Sequence, residues 1–258
     1  MRKALVSIII IIALAGCATT GTTTDKTKMA EGYYERGLSH LQNKDFEKAL
    51  VEFQRSINTD SKNKKSYYAT GIVYDMMGKY SDAEKYYKEA IDIDTDYSEA
   101  HNSLGTVYMK QKKWKEALKS FQRALSNKLY DTPNITYVNM GDAYMEMGDY
   151  PKAIEAYREA KRFVNQDYII YKLGMAYLKA GKVKEAIIEL QEGVTLNPKN
   201  PDMRLDLALA FLKDGNKRSA LMEFRKVVEL APQSDSAKVA RDYIKTLDTD
   251  AAKRQKTL

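Results

Sequence analysis

The chain has 258 residues, enough for one or two domains with a substantial core, and its apolar fraction of 44% predicts that most of it folds. A single cysteine excludes internal disulfides and cysteine-rich zinc sites, and two histidines offer little for a histidine-based metal or catalytic centre. The 13 glycines and 5 prolines are too few for a turn-rich β protein and favour helices. The formal charge of +7 is spread thinly, so no nucleic-acid partner is predicted.

The first 16 residues are typical of an export signal. Arg2 and Lys3 precede an uncharged, mostly apolar run from Ala4 to Gly16. As a helix this run would be about 20 Å long, which is shorter than the hydrocarbon core of about 30 Å that a permanent span must cross. A signal peptide over residues 1–16 is therefore predicted.

The signal ends at residues 14–17 in the letters LAGC, which resemble the lipobox of bacterial lipoproteins. The resemblance implies cleavage before Cys17, a diacylglycerol on its thiol and acylation of the new amino terminus. Several acyl chains would anchor the protein stably, since each buried methylene contributes about 0.8 kcal/mol. Because Ala18 stands where an aspartate would retain the protein, the resemblance implies an outer-membrane lipoprotein facing the periplasm, or the extracytoplasmic face of a single membrane. The alternative is a plain signal peptide with an incidental cysteine.

Residues 17–29 are predicted to be the lipidated cysteine followed by a flexible tether. After Cys17 the chain reads ATTGTTTDKTKM, which is polar, threonine-rich and without helical periodicity. Such a segment reaches at most about 40 Å when extended, so the folded part would stay near the membrane surface.

A unit of about 34 residues recurs six times along the rest of the chain. The letters GLSH, GIVY, GTVY, GDAY, GMAY and ALAF open successive copies, which begin 34, 34, 36, 33 and 34 residues apart. An alanine follows twelve residues after each first residue, and a large apolar residue follows four residues later. The alanines are Ala49, Ala83, Ala117, Ala153, Ala186 and Ala220, and the large residues are Phe53, Tyr87, Phe121, Tyr157, Leu190 and Phe224. Small and large residues therefore recur at fixed places in all six copies.

The pattern resembles the tetratricopeptide repeat, a unit of two helices joined by a turn. The resemblance covers residues 30 to about 234 and implies an all-α, right-handed α-solenoid of six repeats. The repeats are predicted at about 30–63, 64–97, 98–131, 134–167, 167–200 and 201–234. Residues 235–248 are predicted to cap the last repeat as an amphipathic helix, so that the solenoid fills 30–248, and residues 249–258 to form a solvated basic tail.

Glycine ends the first helix of four repeats, where a left-handed backbone costs glycine least. These glycines are Gly78, Gly148, Gly181 and Gly215. Lys44 and Lys112 stand at the corresponding places of repeats 1 and 3, so the pattern leaves the form of those two turns open.

The resemblance further implies that the first helices line a concave groove that binds other proteins. The groove positions mapped onto this sequence are rich in Tyr, Met and other apolar residues, which suit peptide recognition. The set comprises Tyr34, Leu38, Leu41, Tyr68, Ile72, Met76, Asn102, Met109, Val138, Met145, Tyr168, Tyr171, Met175 and Leu178. The alternative is that many of these side chains complete the packing between repeats.

Members of the family that bind chaperones hold a C-terminal carboxylate with Lys and Asn at fixed groove positions. The matching positions here are Tyr34, Leu38, Tyr68 and Ile72. Because that polar clamp is missing, an apolar strand or an amphipathic helix is the expected ligand rather than an acidic C-terminal peptide.

Lipobox, tether, six repeats and a final helix together resemble the type IV pilus biogenesis lipoproteins of the PilF/PilW family, the pilotins. That resemblance implies a membrane-anchored scaffold that helps a secretin pore reach or assemble in the outer membrane, with the secretin or another envelope component as its protein partner. Two alternatives on the same fold stay open, an adaptor for cell-wall enzymes and a component of polysaccharide or protein export. The sequence shows no phosphate-binding loop and no nucleophile–base arrangement, so no enzyme activity, cofactor or metal is predicted.

Overall fold

The computed structural model describes the backbone of residues 20–255 and the side chains of residues 24–249. Cys17 and the predicted signal peptide lie outside the described residues. Within the described range the chain forms helices joined by short turns and loops, and it divides into two compact units, Met1–Gln111 and Lys112–Leu258. Across residues 20–255, no helix combines the length and the apolar character that crossing a membrane requires.

The first unit contains helices α1 to α5. Their bounds are α1 Thr20–Gln42, α2 Phe46–Thr59, α3 Lys64–Met76, α4 Tyr80–Ile93 and α5 Ser98–Lys110. Helix α1 packs against α2 and α3 packs against α4, while α2 and α4 also contact the helices that follow them. The first unit is therefore built from hairpins of consecutive helices.

The second unit contains helices α6 to α13. Their bounds are α6 Trp114–Ser126, α7 Pro133–Glu146, α8 Tyr150–Phe163, α9 Asp167–Lys179, α10 Val183–Leu196, α11 Pro201–Lys213, α12 Lys217–Leu230 and α13 Asp235–Gln255. Within this unit α7 pairs with α8, α9 with α10 and α11 with α12, and α13 packs against α12. The predicted fold class, an all-α repeat of helix pairs closed by a further helix, is confirmed.

In four of the described helix pairs, the small and large residues of the sequence pattern form the contact between the two helices. A Cβ atom added to Gly71 would come within 2.6 Å of the ring of Tyr87, and one added to Gly141 within 2.4 Å of the ring of Tyr157. Both rings are almost completely buried. The absence of a side chain at these glycines therefore sets how closely the two helices approach.

The two turns that carry lysine adopt the same left-handed backbone as the glycine turns. The φ angle is 60° at Lys44 and 59° at Lys112, against 73° at Gly78. At the first of these turns the Asp45 N–H donates a 2.9 Å hydrogen bond to the His40 carbonyl, which is the closing bond of a Schellman motif. A left-handed backbone costs a residue that has a side chain about 1 kcal/mol. The packing of α1 against α2 holds the Lys44 turn in this conformation despite that cost.

The helical region begins earlier than predicted. Helix α1 starts at Thr20, so residues 20–29, which were expected to form a flexible tether, are helical. The side chains of residues 24–29 are exposed, and Ala30 is the first buried residue. A helix satisfies most of its backbone hydrogen bonds internally. The part of α1 before Ala30 is therefore helical although its sequence has no apolar periodicity.

The last helix also exceeds its prediction. Helix α13 runs to Gln255, beyond residue 248 where the cap was expected to end and into the predicted tail. Its packed part comprises Ala237 and Ala240, which are fully buried, and Tyr243, whose ring stacks on Phe224 at 5.0 Å between centroids. Helical backbone again continues past the residues that anchor it.

Candidate protein-binding surface

In each unit the candidate surface is formed by the first helices of its repeats, and the repeat period determines which residues belong to it. Each copy of the repeat opens with a small residue, namely Gly37, Gly71, Gly105, Gly141, Gly174 or Ala208. We define three face positions in each repeat, which stand three residues before, one residue after and four residues after this small residue. In the first unit these are Tyr34, Leu38, Leu41, Tyr68, Ile72, Asp75, Asn102, Thr106 and Met109. In the second unit they are Val138, Asp142, Met145, Tyr171, Met175, Leu178, Leu205, Leu209 and Leu212.

Twelve of the fourteen predicted groove residues stand at face positions, and Met76 and Tyr168 do not. Met76 is 52% exposed and directly follows Asp75, which is the residue 34 positions after Leu41. Tyr168 is 40% exposed and lies at the beginning of α9, three residues before the face position Tyr171. A strict application of the 34-residue register would have selected Asp75 in place of Met76.

In the first unit, the predicted residues of α1 both pack and remain accessible. Tyr34, Leu38 and Leu41 contact a core cluster that includes Phe53 and Val73. All three are half-buried rather than fully covered. They therefore complete the packing of the first repeat and also present apolar surface.

Tyr68, on the face of the first unit, contacts two other tyrosine rings and a serine. Its ring centroid lies 5.6 Å from that of Tyr87 and 5.2 Å from that of Tyr97. Its hydroxyl lies 3.2 Å from Ser103 Oγ on α5. Burial raises the pKa of the Tyr97 hydroxyl, which agrees with its position inside this aromatic group. Contacts on several sides hold the ring of Tyr68 in one orientation.

Charged residues on the first helices of the first unit are paired between neighbouring repeats. The Nζ atom of Lys65 lies 3.1 Å from Glu31 Oε1, and Lys110 Nζ lies 2.7 Å from Asp75 Oδ1. The partners stand 34 and 35 residues apart in the sequence. The negative charge of Asp75 on this face is therefore balanced by the ammonium group of Lys110.

The predicted residues of α7 contribute mainly to packing. Val138 is only 7% exposed and belongs to the buried cluster of the second unit, and Met145 packs half-buried against the same cluster. Their polar neighbour Asp142 accepts hydrogen bonds from the Tyr157 hydroxyl at 2.6 Å and from Lys172 Nζ at 2.7 Å. This part of the face offers little apolar surface and no uncompensated charge.

In repeats 5 and 6 of the second unit, all six face positions are apolar or aromatic. Tyr171, Met175 and Leu178 on α9 are half-buried. The same holds for their equivalents on α11, which the sequence analysis missed. Those equivalents are Leu205, Leu209 and Leu212. Adding 34 to the residue numbers of the α9 set would have found them.

A single carboxylate lies among these apolar side chains. Asp206 is half-buried on α11, and its Oδ2 atom accepts a 2.6 Å hydrogen bond from the Tyr171 hydroxyl. Burial raises the pKa of Asp206, the Tyr171 hydrogen bond lowers it, and the charge of Asp202 raises it, so that the net direction is upward. Among the side chains of residues 24–249, none brings a positive charge into contact with it.

The chemical character of the two faces is mainly apolar. Among the described residues, no group of three His, Cys, Asp or Glu side chains is placed to hold a metal ion. The polar groups on the faces of the two units are tyrosine hydroxyls, the Asn102 amide, the Thr106 hydroxyl, paired charges and the Asp206 carboxylate. What the faces offer to another molecule is thus aromatic and aliphatic surface with a few fixed polar groups.

Comparison with known proteins identifies the repeat. Family profiles of the tetratricopeptide repeat match residues 28–96, 96–166 and 171–235. Protein O-mannosyl-transferase TMTC1 of Homo sapiens is 32% identical over 75 residues, which make up 29% of this chain and 8% of that protein. This chain therefore corresponds to only a small part of that relative's length.

Two solved structures share the fold at low sequence identity. The structure of PilF from Pseudomonas aeruginosa superimposes with a TM-score of 0.71 and 18% identity, covering 84% of this chain and 99% of that one. The structure of PilW, described as a widely conserved type IV pilus biogenesis factor, gives a TM-score of 0.69 and 17% identity, covering 82% and 97%. At these identities the likeness shows the fold alone.

Proposed function

We propose that this chain, which belongs to the tetratricopeptide repeat family, is a protein-binding scaffold that acts through the first-helix faces of its repeats. One observation carries the proposal. Fourteen of the eighteen face positions are apolar or aromatic, and all of these except Val138 are half-buried instead of enclosed in the core. Apolar surface that repeats in register is the feature that a bound polypeptide would cover.

The ligand of these faces is an apolar segment of another protein. Side chains such as Tyr68 and Tyr171 offer large contact areas at a low cost in conformational entropy, and Met175 adapts its shape to a partner. The positions that would hold a C-terminal carboxylate are apolar or aromatic in the first unit. A strand or an amphipathic helix therefore fits better than a free acidic terminus.

The finer role that we propose is in type IV pilus biogenesis, as an outer-membrane lipoprotein anchored through Cys17. The lipobox at residues 14–17 and the likeness of the fold to PilF and PilW support it. The proposed partner is a secretin subunit before assembly, whose unpaired strand edges would otherwise join other chains. An apolar face held close to the membrane would cover such a segment until the subunits assemble.

The proposed anchor is tested by substitution of Cys17. In cells that express Cys17→Ser, we expect the chain to lose labelling by radioactive palmitate and to move from the membrane fraction to the soluble fraction. The wild-type chain treated with globomycin, which blocks lipoprotein signal cleavage, provides the matched comparison. Unchanged labelling and fractionation would contradict the lipoprotein assignment.

The proposed binding role is tested by complementation of a deletion strain. The variants Ile72→Asp and Met175→Asp place a charge on the two faces, and Met222→Asp places the same charge on α12 at a residue that is 52% exposed and off the face. We expect the two face variants to reduce secretin multimers on gels, and we expect Met222→Asp to restore them. Normal multimers in the deletion strain itself would contradict the pilus role, whereas the scaffold role is tested separately by the peptide selection described below.

A further inference from the structure

The Asp206 carboxylate is out of place on an otherwise apolar surface. It lies on α11 between the face positions Leu205 and Leu209, and it donates no hydrogen bond when ionised. The Tyr171 hydroxyl is its one hydrogen-bond partner among the described side chains. A half-buried carboxylate with a single neutral partner loses hydration without gaining a counter-charge.

The neighbouring acidic residue Asp202 does not lie in half-buried, apolar surroundings as Asp206 does. Asp202 is exposed near the beginning of α11, and its Oδ1 accepts a hydrogen bond from the Ser236 hydroxyl on α13. Its negative charge lies near Asp206 and therefore does not balance the charge of the Asp206 carboxylate. The upward shift of the Asp206 pKa agrees with a site that lacks a cation.

We propose that the face of repeats 5 and 6 binds a segment of a partner protein in which a lysine or arginine is flanked by apolar side chains, and that this cation pairs with Asp206. The proposal rests on the proposed function and specifies its ligand. Leu205, Leu209 and Tyr171 receive the apolar side chains, and the partly dehydrated carboxylate receives the cation.

Charge complementarity is the reason for choosing a basic segment. Ion-paired hydrogen bonds are about twice as strong as neutral ones, and a carboxylate that is already partly dehydrated in the free protein loses less hydration on binding. An acidic segment would place like charges together on a low-dielectric surface, which disfavours it. A purely apolar segment would cover Asp206 and leave it without a counter-charge.

The test uses the full chain in mild detergent and a phage-displayed library of random dodecapeptides as the probe. Selection is carried out on the wild type, Asp206→Asn, Asp206→Lys and Asp202→Asn, and binding of the selected peptides to Met175→Asp is then measured. Asp206→Asn keeps an acceptor for the Tyr171 hydroxyl, and Asp202→Asn removes the same charge from the same helix outside the apolar area. Circular dichroism of each variant establishes that it is folded.

We expect the wild type and Asp202→Asn to enrich peptides that carry Lys or Arg beside apolar residues. A selected peptide should bind Asp206→Asn about ten- to a hundredfold more weakly than it binds the wild type. The charge reversal Asp206→Lys should move the selection towards acidic peptides.

Three outcomes would overturn the proposal. Selected peptides without Lys or Arg enrichment, or a basic enrichment that persists in Asp206→Asn, would refute the ligand assignment. In either case, loss of the same peptides by Met175→Asp would leave the proposed binding function in place. If the library yields no peptide that is lost in Met175→Asp, both the ligand assignment and the binding role of this face fail.

Discussion

In both units the hydroxyl of a tyrosine on the face contacts a polar side chain of the following repeat, a link that ends at a neutral residue in one unit and at a charged residue in the other. In the first unit the Tyr68 hydroxyl lies 3.2 Å from Ser103 Oγ, and in the second the Tyr171 hydroxyl donates to Asp206 at 2.6 Å. Each tyrosine occupies the first face position of its repeat, and each partner stands 35 residues later. The repeat thus reproduces the geometry of the link, while the residue at its far end, Ser103 or Asp206, decides whether the link is neutral or carries a charge.

Buried glutamates in the first and last repeats also differ between the units, here in how exposed their arginine partners are. Glu52 and Glu223 both stand three residues after the repeat alanine and are almost fully buried. Glu223 bonds Arg204, whose side chain is only 11% exposed, whereas the Arg36 partner of Glu52 is 55% exposed. Two glutamates at equivalent positions therefore pair with a buried arginine in one unit and with a largely solvated arginine in the other.

The largest predicted effect comes from this pair of sites. Arg204→Ala leaves Glu223 buried with only the partly exposed Lys226 beside it, and we expect the free energy of unfolding to fall by about 3 kcal/mol or more. Arg36→Ala should cost about 1 kcal/mol or less, because Arg36 itself is largely exposed and Arg55 still pairs with Glu52. Urea unfolding followed by circular dichroism measures both variants. Equal losses would show that burial does not distinguish the two ion pairs.

The second prediction compares how the helix pairs tolerate a methyl group. In Gly71→Ala the new Cβ would lie 2.6 Å from the rigid ring of Tyr87, and we expect a destabilisation of about 2 kcal/mol. In Gly174→Ala the nearest side chain is Leu190, whose Cγ is 2.9 Å away and whose branched end can rotate. The loss in the second variant should therefore be smaller. Thermal unfolding of the two variants provides the measurement, and a larger loss in Gly174→Ala would contradict this account.

The third prediction concerns the lysines with left-handed backbone. Because φ is 60° at Lys44 and 59° at Lys112, Lys44→Gly and Lys112→Gly should each stabilise the fold by about 1 kcal/mol. The control is Lys119→Gly, which alters an exposed residue inside α6 and should destabilise by a similar amount. Melting temperatures should therefore rise for the turn variants and fall for the control. A fall in all three would show that the turns are not strained.

The smallest predicted effects are two pH dependences of opposite sign. The hydrogen bond from Lys64 lowers the pKa of Asp94 in the first unit, whereas burial raises that of Asp206 in the second. The Asp94 carboxylate therefore stabilises the fold above pH 3.8, and this contribution is lost as the pH falls through its lowered pKa. The Asp206 carboxylate destabilises the fold increasingly as the pH rises from 3.8 through its raised pKa.

Unfolding measured at several pH values tests both signs. At pH 7, Asp94→Asn should be less stable than the wild type and Asp206→Asn more stable, and both differences should disappear in acid. A stabilising Asp206→Asn would fit a residue that is retained for binding at a cost in stability. A loss of stability in Asp206→Asn at pH 7 would mean that the Tyr171 hydrogen bond outweighs the effect of burial.

Most of the fold could be predicted from the sequence because the contacts that build each helix pair are local. The small residue and its large partner stand sixteen residues apart, as Gly71 and Tyr87 do, so periodicity alone reveals the hairpin. The same register placed twelve of the fourteen groove residues at face positions. It leaves out Met76 and Tyr168, and it also marks Leu205, Leu209 and Leu212 in repeat 6.

The amino-acid order thus carries the period, the pairing of helices and the apolar character of the faces. It does not reveal which charges are compensated, since the partners of Asp94 and Asp206 stand 30 and 35 residues away on other helices. Nor does it show that Arg204 is buried or that α1 begins at Thr20. Burial and charge pairing depend on side chains that meet only after neighbouring repeats have stacked, and no local pattern records those encounters.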